Sequence, residues 1–286
     1  MDAEAKILGG GLVGMTRAHF AWGTRTFLMG ILNVTPDSFS GDGLEGDPSA
    51  AVERALAMEA AGADIIDVGG MSTRPSHVEV DTAEELRRVM TVLPALVDQL
   101  KVPVSIDTFR YEVAAAALEA GVAAINDVWG LQREPRLAEL AAGAGALLFL
   151  MHNQDGTAYD DLLPDVLVSL ARSVATAEAG GMPRHRLVVD PGIGFGKTAD
   201  QNLEVLGRLG ELRSLGLPIL LGTSRKSTIG KVLGTEVDDR LEGTAATIAL
   251  GIGAGADMVR VHDVPQMARV ARMADAIVRR EQQVPV

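Results

Sequence analysis

One repeat constrains this chain more than any other feature. Eight times along its 286 residues a short β-rich apolar run is followed by a longer stretch of Ala, Leu, Glu and Arg with helical periodicity. The runs fall at 27–32, 64–68, 103–107, 123–127, 146–151, 186–190, 218–222 and 257–262, and the helical stretches at 48–62, 82–100, 111–120, 134–143, 164–180, 199–216, 241–254 and 265–280. Alternation of strand and helix implies a parallel sheet, and near-continuous apolar strands imply burial on both faces. A doubly wound sheet also satisfies those two conditions, but eight units in one chain predict an α/β fold of the (β/α)8 TIM-barrel type. The barrel domain is expected over 27–286, with 1–26 as an N-terminal extension capping the barrel floor.

Composition narrows the function. Lys and Arg total 26 against 38 Asp and Glu, a net charge of −12, which argues against a general nucleic-acid binder. With 47% hydrophobic and 22% charged residues the chain is globular. It has no cysteine, so disulfides, thiolate zinc sites, iron–sulfur clusters and cysteine nucleophiles are excluded. Asp2 and Glu4 precede only a short apolar patch, unlike a signal peptide, and no run reaches the roughly 18 to 20 apolar residues of a membrane span. The expectation is a soluble, cytoplasmic protein without a membrane or nucleic-acid partner.

Polar residues fall at the C-terminal end of nearly every expected strand: Asn33, the 69–75 loop, Asp107, Asn126 and Asp127, His152, Asp190, the 224–227 loop, then Arg260 and His262. In a barrel those ends converge on one mouth, where active sites are built. A single Asp there could simply cap the next helix, whereas eight such coincidences point to a site. The glycine-rich stretch 190–198 is not a P-loop, because Pro191 stands where the first glycine is required and only three residues separate Gly192 from Gly196. Arg225, Lys226 and Ser227 suit an anion or a polar heterocycle. Arg260 and His262 share one face of the last strand and, with Asn33, suit a phosphate site, although a lone His262 could be a satisfied core residue. No His-x-x-x-His or Glu-x-x-His pair suggests a protein-caged transition metal; a Mg²⁺ held mostly by substrate phosphates, with Asn33 as one oxygen ligand, fits better.

Seven motifs read together resemble the dihydropteroate synthase family: 29–40 (MGILNVTPDSFS), 70–75 (GMSTRP), 105–108 (SIDT), 125–128 (INDV), 190–197 (DPGIGFGK), 224–227 (SRKS) and 260–263 (RVHD). The resemblance runs in order from about residue 27 to 280. It implies a transferase of folate biosynthesis with Mg²⁺ as metal cofactor. The reaction would condense 6-hydroxymethyl-7,8-dihydropterin pyrophosphate with p-aminobenzoate to 7,8-dihydropteroate and pyrophosphate. Sulfonamides would compete at the p-aminobenzoate site.

By the same resemblance Asp107, Asn126, Asp190 and Lys226 hold the pterin, with Ile125, Met151 and Phe195 walling its ring. Asn33, Arg260 and His262 match the pyrophosphate and metal positions, while Phe39, Thr73, Arg74, Pro75 and Ser227 match those closing over p-aminobenzoate. Asp37, Lys226, Arg260 and His262 form the implied catalytic set, Asp37 stabilising positive charge. The implied chemistry is a dissociative substitution in which pyrophosphate leaves before the arylamine attacks. Met71 stands where the family usually has Glu, and 40–43 reads Ser-Gly-Asp-Gly where Ser-Asp-Gly-Gly is usual. Met71 leaves open a paralogue that binds pterin without condensing it, and a pterin-dependent methyltransferase domain is a further alternative. The family likeness also implies a homodimer through the last helices, around 247–254 and 267–277.

Overall fold

The computed structural model describes residues 18–34, 48–71 and 80–279. The chain is a (β/α)8 barrel. Its strands are β1 (Phe27–Asn33), β2 (Ile65–Gly69), β3 (Val104–Asp107), β4 (Ala124–Asp127), β5 (Leu147–Met151), β6 (Leu187–Asp190), β7 (Leu220–Leu221) and β8 (Met258–Val261). Around them lie α1 (Pro48–Ala60), α2 (Thr82–Gln99), α3 (Tyr111–Glu119), α4 (Leu137–Ala144), α5 (Leu162–Ala179), α6 (Ala199–Gly207), α7 (Ser227–Leu233), α8 (Leu241–Gly253) and α9 (Val264–Val278). Among the described residues no helix is long and apolar enough to cross a membrane.

Strand pairing is parallel throughout, and β1 lies between β2 and β8. Closure between β6 and β7 rests on one bridge, Val189 to Ile219, with the Val189 N–H donating to the Pro218 carbonyl at 3.0 Å. β7 is shorter than its apolar run because Pro218 has no N–H to donate and the Asp257 carboxylate takes the Ile219 N–H at 3.0 Å.

Alternation along each strand sorts the side chains into two layers. Phe27, Met29, Ile65, Ala124, Leu147, Phe149, Val188, Leu220 and Met258 fill the barrel interior. Their strand neighbours, such as Leu28, Ile66, Ile106, Ile125, Leu148, Val189 and Val259, form the larger core beneath the helices. Each large apolar side chain so buried contributes roughly 1.5–3 kcal/mol. At the floor Phe20, Trp22 and Phe27 pack as an aromatic trio, with ring centroids 4.9–5.4 Å apart.

Two departures from the expected elements have local causes. The helical stretch 199–216 is split: α6 stops at Gly207, and Leu209–Leu215 continues as a 3-10 helix. Gly207 and Gly210 weaken an α-helix there, and Leu209 and Leu212, both buried, line up in a three-residue repeat. The short helix α7 has no counterpart among the expected helices. Gly230 in its middle admits the Arg240 guanidinium, whose Nη2 would lie 2.4 Å from a Cβ at that position.

The first strand is tied to the last helix by a buried carboxylate. Asp275 in α9 accepts the Thr26 N–H at 2.7 Å, the Thr26 hydroxyl at 2.8 Å and Arg279 Nε at 2.9 Å. Replacing it leaves buried donors unmatched. We expect Asp275→Ala to lower unfolding free energy by about 2–4 kcal/mol in urea melts, with the slope of the transition unchanged.

Candidate active site

A cavity of about 360 Å³ opens at the C-terminal ends of the strands. Inward-facing positions line it: Ile31 and Asn33 from β1, Asp107 from β3, Asn126 from β4, Met151 from β5, Asp190 from β6 and Arg260 from β8. Beyond the strands, Val128, Ile193, Gly194, Phe195, Gly222, Ser224, Arg225, Lys226, Val237, Arg240, His262 and Ser227 at the start of α7 complete it.

The polar floor of the cavity is an interlocked set of side chains. Arg260 donates from Nε to Asp67 and from Nη2 to Asp107, each at 2.7 Å. Asp67 also accepts the Ser105 hydroxyl at 2.6 Å and Asn126 Nδ2 at 2.9 Å. Burial would lower the pKa of Arg260, but Asp67 and Asp107 together raise it above its usual value, so the guanidinium stays charged. Burial pushes Asp107 up to about 7 against the pull of Arg260, and Asp107 Oδ1 is buried without a hydrogen-bond partner. An orphaned buried acceptor of that kind suits an incoming N–H donor. Burial likewise raises Asp190, against the Gly192 N–H that its Oδ1 accepts at 2.7 Å.

One wall is built by the loop after β6. Gly192, Gly194 and Gly196 all adopt positive φ, at 69°, 83° and 54°. These turns carry Phe195 to the cavity, where the Lys226 ammonium lies 4.0 Å from its ring centroid. Gly194 allows that approach, since a Cβ there would lie 3.0 Å from Lys226 Cδ. Behind the loop, Lys197 Nζ donates to the Gly192 and Phe195 carbonyls at 3.1 and 3.2 Å. Burial pulls the Lys197 ammonium down to about 7 in spite of Asp190 nearby. Asn202 accepts the Gly194 N–H at 2.7 Å and donates to the Thr228 hydroxyl at 3.1 Å, joining this loop to α7.

On the opposite wall Ser224 Oγ lies 3.0 Å from His262 Nδ1 and accepts the His262 backbone N–H at 3.1 Å. Arg225, at φ 57°, lines the cavity and forms a two-point pair with Asp263 at 2.5 and 3.0 Å. Its anionic partner is thus a protein carboxylate. His152 is buried beside this mouth without lining it; burial lowers it to about 3, so it is neutral, with Nε2 3.1 Å from the Tyr159 hydroxyl.

The structure gathers Asn33, Asp107, Asn126, Met151, Asp190, Phe195, Lys226, Ser227, Arg260 and His262 around one cavity. Ile125 is a correction. It is fully buried under the helices, because it alternates with Ala124 and Asn126, which face the interior. Val128, one turn of chain beyond Asn126, lines the cavity instead. Asp37, Phe39, Thr73, Arg74 and Pro75 lie outside the described residues. Met71 is buried and belongs to the apolar core. Sequence reasoning missed Asp67, although its signal was present: a lone carboxylate in an otherwise apolar strand, two residues from Ile65 and hence on the same inward face.

Comparison with known proteins follows the same lines. A family model described as pterin binding enzyme matches residues 29–262. A dihydropteroate synthase of Clostridium beijerinckii is 48% identical over 263 residues, covering 92% of this chain and 98% of that one. The crystal structure of a Clostridium difficile dihydropteroate synthase, determined in the presence of pteroic acid, superposes with a TM-score of 0.89 at 52% identity, covering 91% of this chain and 100% of the other. A Xanthomonas albilineans dihydropteroate synthase with 4-aminobenzoic acid gives a TM-score of 0.85 at 41% identity, covering 91% and 94%.

The loop geometry makes a sharp prediction. A Cβ on Gly192 would lie 1.9 Å from the His152 carbonyl oxygen, at a φ that disfavours side chains. Gly192→Ala should destabilise the fold by about 3 kcal/mol or more. Gly207→Ala, with nothing within 4 Å of its Cβ, should change stability by less than about 1 kcal/mol in the same denaturant series.

Proposed function

The chain belongs to the pterin-binding enzymes, as a dihydropteroate synthase and so a transferase of folate biosynthesis, and on that premise we propose which residues carry the condensation. Its substrates are 6-hydroxymethyl-7,8-dihydropterin pyrophosphate and p-aminobenzoate, and its products 7,8-dihydropteroate and pyrophosphate. The observation that carries the assignment of roles is the buried floor of acceptors: the unpartnered Asp107 Oδ1 and Asp190, facing one cavity with Asn126 and Lys226.

A pterin presents N–H donors along its amidine-like edge and a carbonyl beside them. Asp107, Asp190 and Asn126 accept from the donors, Lys226 donates to the carbonyl or a ring nitrogen, and Met151, Phe195 and Val128 pack the ring faces. Arg260 uses its Nε and Nη2 on carboxylates, which leaves Nη1 for the diphosphate beside His262 and Asn33. As the bond from the pterin methylene carbon to the diphosphate oxygen breaks, negative charge gathers on the leaving group, and Arg260 and His262 stabilise it. The arylamine nitrogen then bonds to the cationic methylene and releases its proton to solvent. Neutral arylamine is already nucleophilic, so no covalent enzyme intermediate and no strong base are required. Ser227, exposed at the start of α7 and lining the cavity, is the described residue for the p-aminobenzoate carboxylate. A sulfonamide, similar in shape, competes there.

Among the described residues no group of three or more acidic or imidazole side chains could cage a metal. Asn33 offers one hard oxygen at the cavity, which fits Mg²⁺ held chiefly by diphosphate oxygens and water. When bound, such an ion would neutralise part of the leaving-group charge. A homodimer is supported by the apolar outer faces of the last helices, where Leu250, Met273 and Ile277 are 75%, 63% and 61% exposed.

Purified protein should release pyrophosphate only with the pterin substrate, p-aminobenzoate and Mg²⁺ together, and sulfonamide should stop it. Tight pterin binding without condensation would overturn the assignment. Ionised Asp107 is the stronger acceptor for N–H donors, and its acid form, which turns one oxygen into a donor, gains as pH falls through about 7, so kcat/KM should decline below that pH. For the assembly, Leu250→Glu with Met273→Glu should convert a dimer to a monomer in light scattering behind size exclusion; a wild-type monomer would rule the dimer out.

A further inference from the structure

Asp67 is fully buried in the middle of β2, paired in register with Ile31 on one side and Ser105 on the other. It does not line the cavity. Placing an ionised carboxylate there costs several kcal/mol, and an apolar side chain of similar volume would stabilise the barrel as well or better. Its contacts point to a use other than stability. Both oxygens are engaged, by Ser105 on Oδ1 and by Asn126 and Arg260 on Oδ2. Two of those three partners, Asn126 and Arg260, line the cavity.

Building on the assignment of roles in the preceding subsection, we propose that Asp67 is a positioning residue for the condensation, holding Arg260 and Asn126 from behind while substrate takes their other side. Arg260 has two anchors of unequal permanence. Asp107 lines the cavity and has an oxygen to give to the pterin, so its bond to Arg260 competes with substrate. Asp67 is out of substrate's reach and keeps Arg260 Nε at 2.7 Å whatever Asp107 does. The guanidinium is thereby kept from following Asp107 or from collapsing onto the diphosphate before the bond breaks. Preorganisation of that kind makes a charged donor effective for a developing anion.

Asp67 also sets the charge seen by Asp107. The groups acting on Asp107 are Arg260 from β8, Asp67 from β2, Glu85 from α2 and Lys226 from the loop before α7. Of these, Asp67 and Glu85 favour its protonated form, and Arg260 and Lys226 its carboxylate. Removing the Asp67 charge therefore makes Asp107 more acidic.

The test is Asp67→Asn in the full chain, compared with wild type in steady-state kinetics across pH and in thermal melts. We expect kcat to fall by about tenfold or more, with KM for p-aminobenzoate within about twofold. The acid limb of kcat/KM should move to lower pH by about half a unit or more. A purely structural Asp67 would lower the melting temperature and the active fraction and leave that limb where it is. A folded variant with wild-type kcat, or with an unmoved limb, overturns the proposal. Should Asp67→Asn not fold, Ser105→Ala removes only the 2.6 Å bond to Oδ1; a kcat about threefold lower supports the proposal and an unchanged kcat overturns it. Wild type in the same assay separates the two levels. No condensation by wild type overturns both readings, and active wild type with an indifferent variant overturns this one alone.

Discussion

The pairing of Arg260 with two buried carboxylates is the interaction on which the working end of this barrel depends. A guanidinium inside a protein must be matched in charge and in hydrogen bonds, or it becomes a liability of several kcal/mol. Here the match is assembled across the barrel: Arg260 from β8, Asp67 from β2 and Asp107 from β3, with Ser105 and Asn126 satisfying what remains of Asp67. Four strands are thereby committed to one network. Below it lies the apolar cluster of Phe27, Met29, Ile65, Phe149 and their neighbours, and above it the cavity begins. The network is thus both the polar cap of the core and the floor of the site.

From that floor the site rises on backbone as much as on side chains. The loop after β6 bends through three glycines at positive φ, tightly enough that Gly192 almost touches the His152 carbonyl. Lys197 and Asn202 brace it from behind. Arg225 sits at positive φ, pairs with Asp263 and has its own carbonyl held by Arg240 Nη1 at 3.0 Å. These devices aim Phe195, Lys226 and Ser227 at one volume. Rigid placement matters because a dissociative substitution asks the enzyme for orientation, charge stabilisation and exclusion of water, with no covalent bond to the protein.

Much of this was legible residue by residue. Asp107, Asn126, Asp190, Arg260 and His262 stand at the ends of apolar runs, and strand ends in a parallel barrel converge, so their gathering follows from the repeat alone. Ile125 shows where such reasoning fails: belonging to a motif says nothing about direction, and in a strand the neighbour of an inward residue points outward. Asp67 shows the complementary failure. Its strand reads as buried, but a single carboxylate in an apolar run gains meaning only when the partners that neutralise it are known. Those partners lie 38, 59 and 193 residues away.

By itself, the sequence determined the eightfold alternation, the absence of cysteine chemistry and most of the polar residues that gather at the mouth. Local chemistry suffices for these, because strand alternation and helical periodicity are short-range properties of the chain. Only the tertiary structure decided which charges neutralise one another. Arg225 pairs with Asp263 and Arg260 with Asp67 and Asp107; Asp107 keeps one oxygen without a partner; Lys197 spends its donors on carbonyls of its own loop. Coulomb and hydrogen-bond energies in a buried site depend on distances of a few ångströms between groups far apart in the chain, and folding alone sets those distances.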